Sequence, residues 1–239
     1  MSAYFPTFKK ILFISISLTA GIISNNAVSQ IDEDQLGAWY MYFWNTRFED
    51  SNFGLQGDVQ HRNWDLGGDL EQLLIRGGAT YSPDQSNLLY TLGYASITSG
   101  QFGNSDDTVH ENRIYQELLI PQVLGTKFFL RHRLRFEQRW VENQDFRTRF
   151  RYNLFLDIPL NQDNLSKGAI YLSFYNELFI NGERDIGAGR RVDHFDRNRF
   201  FTALGYSMTE NLRFQFGLMH QNTKTTDKTQ LQFGLTQRF

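Results

Sequence analysis

Between residues 127 and 158 apolar and charged positions alternate with a period of two. Phe128, Leu130, Leu134, Phe136 and Trp140 fall in one register, and Arg131, Arg133, Arg135, Glu137 and Arg139 in the other. A second segment repeats the pattern, with Phe146, Phe150, Tyr152, Leu154, Leu156 and Ile158 against Arg147, Arg149, Arg151, Asn153 and Asp157. A β-strand sends successive side chains to opposite faces, so each segment has one oily and one charged face. Seven arginines on one side of a hairpin cannot face a dry core. They can face an enclosed polar interior while the oily side faces lipid, which is the polarity of a membrane β-barrel.

The same period runs through most of the chain. Eleven strand-like segments fall near 37–48, 53–63, 71–82, 87–98, 111–121, 127–141, 146–159, 168–181, 198–208, 211–222 and 229–239. The expected fold is therefore all-β, an antiparallel transmembrane barrel of 10–12 strands with an Arg-rich interior. Pro83, Pro121 and Pro159 stand at the ends of alternate strands, so they share one rim, where a missing N–H costs no ladder bond. Short turns belong to the periplasmic rim of an outer-membrane barrel, which assigns the prolines to that side. The connections near 64–70, 99–110, 142–145, 182–197 and 223–228 then face outward. Bacterial single-chain barrels have an even strand number, which eleven segments violate. The first is the suspect, because Trp39, Tyr40, Met41, Tyr42, Phe43 and Trp44 are apolar on both faces. It is expected to plug or line the barrel instead of spanning it.

Composition changes the picture at the N-terminus. Lys9 and Lys10 precede an apolar run from Ile11 to Ile23, and Ala27-Val28-Ser29 places small residues at a cleavage site. The expected organisation is a signal peptide at 1–29, a short segment at 30–36 and the barrel at 37–239. The run is too short to span a bilayer as a helix. There is no cysteine, which excludes a disulfide framework and thiolate metal sites. With 24 Lys and Arg against 26 Asp and Glu, no global basic field points to nucleic acid. Aromatic residues make up 15% of the chain, which suits girdles at two bilayer interfaces.

The last segment, Gln230 to Phe239, alternates Leu231, Phe233, Leu235 and Phe239 with Gln230, Gln232, Thr236 and Arg238. Gln232, Gly234 and Phe239 resemble the C-terminal signal read by the outer-membrane barrel assembly machinery, with Gln237 departing from it. The machinery and outer-membrane lipid are thus the expected partners. The run from Arg131 to Trp140, the Arg149–Tyr152 and Tyr175–Phe179 segments, Phe195–Arg199, Trp39-Tyr40 and Gln60-His61-Arg62 resemble the family known as domain of unknown function 2490. The resemblance covers about residues 35–239. It implies an exported outer-membrane barrel and transfers no activity or site residues.

Further charges lie in the inner register: Asp58, Arg62, Arg76, Arg113, Glu117, Glu177, Arg199 and Arg213. Glu117, Glu137, Asp157 and Glu177 are the natural carboxylate partners for Arg131, Arg133, Arg135, Arg139, Arg147, Arg149, Arg151 and Arg199, in bidentate contacts across neighbouring strands. Such a network either packs the interior or lines an anion-preferring passage or binding cleft. Barrel lipid hydrolases set a His and a Ser on one strand face, as His-x-Ser. None of His61, His110, His132, His194 and His220 is followed two residues later by Ser. His132 and His220 fall in the lipid-facing register, where interfacial positions near a rim suit them. Asp106-Asp107 lie in a solvated loop, and no phosphate-cradle, dinucleotide or zinc motif is present. No catalytic residue, metal or cofactor is assigned. The expected function is a non-enzymatic outer-membrane barrel, structural or a small pore. A lipid-modifying barrel enzyme and a soluble periplasmic ligand-binding barrel are the alternatives.

Overall fold

The computed structural model describes residues 32–103 and 105–239, so the expected signal peptide lies outside the described residues. Eleven strands close into one barrel: β1 (Gly37–Arg47), β2 (Phe53–Asn63), β3 (Leu70–Tyr81), β4 (Leu89–Gly100), β5 (Thr108–Leu124), β6 (Phe128–Val141), β7 (Arg147–Pro159), β8 (Ile170–Asn181), β9 (Phe195–Ser207), β10 (Leu212–Asn222) and β11 (Asp227–Arg238). Consecutive strands pair antiparallel, and the closure pairs β1 parallel to β11, from Gly37↔Gln230 to Asn45↔Arg238. Closure leaves no edge strand with unpaired backbone groups.

The first segment is thus not a plug. It spans, paired with β2 on one side and β11 on the other, which corrects the expectation for 37–48, and the eleven strands fall within the expected 10–12. Its two apolar faces have separate uses. Trp39 points inward and packs with Phe201, Ala203 and Met219, with Met41 and Tyr175 against that cluster. Tyr40 points outward and stacks on Phe233 at 5.2 Å.

The two-residue period sets the faces everywhere else. Leu134, Phe150 and Phe200 are 47%, 55% and 50% exposed on the outside, whereas their inward neighbours Arg135, Arg151 and Arg199 are buried. Aromatic pairs mark both ends of the outer surface: Phe53 with Tyr81 at one rim (5.1 Å) and Trp140 with Phe146 at the other (5.3 Å). Pro83, Pro121 and Pro159 do share one rim, that of the connections 48–52, 82–88, 125–127, 160–169 and 208–211, hereafter the proline rim. At the opposite rim the Asp65 carboxylate accepts backbone N–H bonds from Gly68, Asp69 and Gly67 in the β2–β3 connection. Those donors hold its carboxyl below the usual carboxylate range.

Inside, small residues make room for rings. A Cβ on Gly93 would lie 2.2 Å from Cζ of Tyr115, whose ring is buried with Leu74, Ala95 and Ile97. Gly93→Ala is expected to lower stability by about 1–3 kcal/mol through overpacking. Urea unfolding should show the loss, and a smaller loss when Tyr115→Ala has already removed the ring.

Candidate functional site: a charged interior and its open cup

Adjacent strands bring the inward charges together as one network. Glu137, only 1% exposed, sits at its centre. It accepts from Arg149 (Nη2, 2.7 Å) and Arg151 (Nη1, 2.7 Å), with Arg113 and Arg135 at 3.7 and 3.9 Å. Glu177 accepts from Arg151 and from Arg133 at 2.7 Å. Glu117 holds Arg135 through Nε at 2.7 Å, with Arg133 at 3.7 Å. Asp157 takes Arg131 at 3.1 Å and the Ser173 hydroxyl at 2.6 Å.

Glu117, Glu137, Asp157 and Glu177 are therefore partners, but two-oxygen forks form elsewhere. Arg76 grips both oxygens of Asp58 (2.8 and 3.0 Å), and Arg113 and Arg139 each grip both oxygens of Glu111. The four predicted carboxylates instead bind their arginines through single oxygens: two or more guanidiniums converge on Glu117, Glu137 and Glu177, and Asp157 shares itself between Arg131 and the Ser173 hydroxyl. Three contributors escaped the sequence reading as partners: Glu111, Asp196, which holds Arg149 at 2.9 Å, and Glu71, which accepts from the Trp39 indole at 2.7 Å. Asp196 fell in an expected loop, since β9 starts three residues earlier than the alternation suggested. Arg147 and Arg199 lie buried on the inner face, yet neither has a carboxylate within 4.0 Å among the described residues.

The network fills the barrel unevenly. Glu111, Arg139, Arg147 and Arg149 pack the half away from the proline rim. Toward the proline rim a cavity of about 1300 Å³ opens, bordered by rim residues such as Asn52, Asn164 and Asn211 and floored by Trp39, Arg62, Arg133, Arg151, Glu177 and Arg199. The interior is thus a cup. Ten arginines and five Asp or Glu side chains line it, so its field favours anions.

The remaining predicted positions fall as follows. Gln232 and Gly234 are on the inner face of β11, and the Gln232 amide donates to the Tyr175 hydroxyl at 3.0 Å. Phe239 follows β11 and is exposed at the proline rim. His132 lies on the outer face, its Nδ1 2.8 Å from the Tyr152 hydroxyl, and exposed His220 has Nδ1 3.3 Å from Thr229 Oγ1. Neither meets a serine in the described residues. Among the described residues no group of three His, Cys, Asp or Glu is placed to hold a metal ion.

A family model described as "Protein of unknown function (DUF2490)" matches residues 36–232. No curated protein and no solved structure matches.

Proposed function

The chain belongs to the DUF2490 family of proteins of unknown function, and from its geometry we propose a non-enzymatic barrel of the bacterial outer membrane, exported by residues 1–29 and closed to through-flow by its own salt bridges. One observation carries this reading: the polarity of the barrel is inverted. Its outer surface is a belt of Leu, Val, Ile and Phe between aromatic ends, and its charges are inside. A water-soluble barrel of the opposite polarity would bury the belt and expose the arginines. Lipid is then the solvent of the outer face. The proline rim, with the C-terminal signal Gln232, Gly234 and Phe239, faces the periplasm, where the assembly machinery works.

Closure follows from the packing. Ions crossing the barrel would have to displace Arg139, Arg147 and Arg149 from a half where each is at most 9% exposed. Refolded protein is expected to float with phosphatidylcholine liposomes and to give no steady single-channel current in planar bilayers. Monodisperse protein in detergent-free buffer would overturn the membrane reading. Anion-selective steps whose selectivity inverts in Arg133→Glu/Arg149→Glu would overturn closure and favour a small pore.

A further inference from the structure

The floor of the cup holds two guanidiniums that make no direct ion pair, although buried Glu71 accepts from the indole they flank. Arg199 is 6% exposed and its guanidinium carbon lies 4.8 Å from the Trp39 ring centre and 4.9 Å from that of Phe179. Its Nε donates to Gln221 Oε1 at 2.8 Å, and its two terminal nitrogens have no partner among the described residues. Arg62, equally buried, lies 3.9 Å from the same indole, and all its hydrogen bonds go to the neutral carbonyls of Gln60 and Gln72. Neither guanidinium has a carboxylate within 4.0 Å among the described residues. Around Glu111, Glu137 and Glu177 the arrangement is the reverse, with two or more arginines on one carboxylate.

Two buried cations against one aromatic ring repel each other in a medium that screens poorly. Contact with the indole offsets part of that cost. An anion offsets more, and Arg199 lines the cavity through which one would arrive. The way in from the rim is not uniformly polar. Met41 and Phe43 of β1, Leu119 of β5, Phe129 of β6 and Phe155 of β7 line it beside the charges.

We propose that the cup binds an anionic amphiphile from the proline-rim side, its carboxylate or phosphate head at Arg199 and Arg62 beside Trp39 and its apolar body along Met41, Phe43 and Phe155. The site rests on the barrel fold and on the closed, one-mouthed interior, and it deepens the functional reading above by naming a ligand class for that interior.

Octanoate, octyl phosphate, n-octanol and inorganic phosphate, titrated calorimetrically into the refolded barrel in nonionic detergent, test it. At least one of the two octyl anions should bind saturably, at least tenfold more weakly to Arg199→Met and with an intermediate loss in Arg199→Lys. Which anion binds identifies the head. Heat-modifiable electrophoretic mobility checks that each variant is folded. Micelle uptake is common to all variants, so it cancels in the comparison. Equal binding by wild type and a folded Arg199→Met, or no saturable binding of either octyl anion, would overturn the site. Inorganic phosphate binding as tightly as octyl phosphate, or n-octanol binding as tightly as the anions, would overturn the amphiphile. These titrations need no bilayer, so their failure leaves liposome flotation as an independent test of the membrane reading.

Discussion

Glu137→Leu should be the most damaging single substitution in the barrel, costing about 3–5 kcal/mol of folding stability. The carboxylate accepts from Arg149 and Arg151 and lies within 4.0 Å of Arg113 and Arg135, so its loss strands cationic charge in a buried setting. The large number is a penalty for abandoned partners. It does not measure what the network contributes relative to an apolar core, which for buried ion pairs is often close to nothing. A paired replacement makes the distinction visible. Glu137→Leu combined with Arg149→Met and Arg151→Met should recover part of the loss. Urea unfolding followed by tryptophan fluorescence in detergent reads both. If Glu137→Leu unfolds at the wild-type midpoint, the contacts around it are not stabilising the barrel.

The second large effect lies on the other face. Leu134 is in the middle of β6, 47% exposed on the outside, one residue from half-buried Arg133 and buried Arg135. In the proposed bilayer setting Leu134→Arg puts a guanidinium at the hydrocarbon midplane and should cost about 2–4 kcal/mol. In a water-soluble barrel the same exposed substitution would stay within about 0.5 kcal/mol. Reversible unfolding from liposomes measures the difference. A neutral result with the barrel still folded would remove lipid from the outer surface, whatever its hydropathy.

The strands were readable where one face of the sheet is charged and the other is not. In β6 and β7 a one-residue slip would put seven arginines on the wrong side, so pattern and register coincide. In β1 the same logic had nothing to grip. Trp39 and Met41 serve an internal apolar cluster and Tyr40 an external aromatic stack, so both registers are oily. Nor does any local signal announce that β1 pairs with β11. That contact joins residues nearly two hundred positions apart, and its parallel sense decides the odd strand count. The interior charges were identifiable by register, but not their pairing. Alternation says which way Glu111 points. It does not say that Arg113 on its own strand and Arg139 on the next will share it. Arg62 and Arg199 show the limit most clearly. In the sequence they are two more inward arginines, and only the fold places both against Trp39 with no carboxylate within 4.0 Å of either guanidinium among the described residues.

The parallel seam has a topological consequence. Because β1 and β11 run in the same direction, the polypeptide enters the cylinder at one mouth and leaves at the other. In the proposed outer-membrane orientation a bilayer around the cylinder would separate two fusion sites: an epitope inserted just ahead of Gly37 would be reachable by antibody on intact cells, while one appended to Phe239 would be shielded until the envelope is breached.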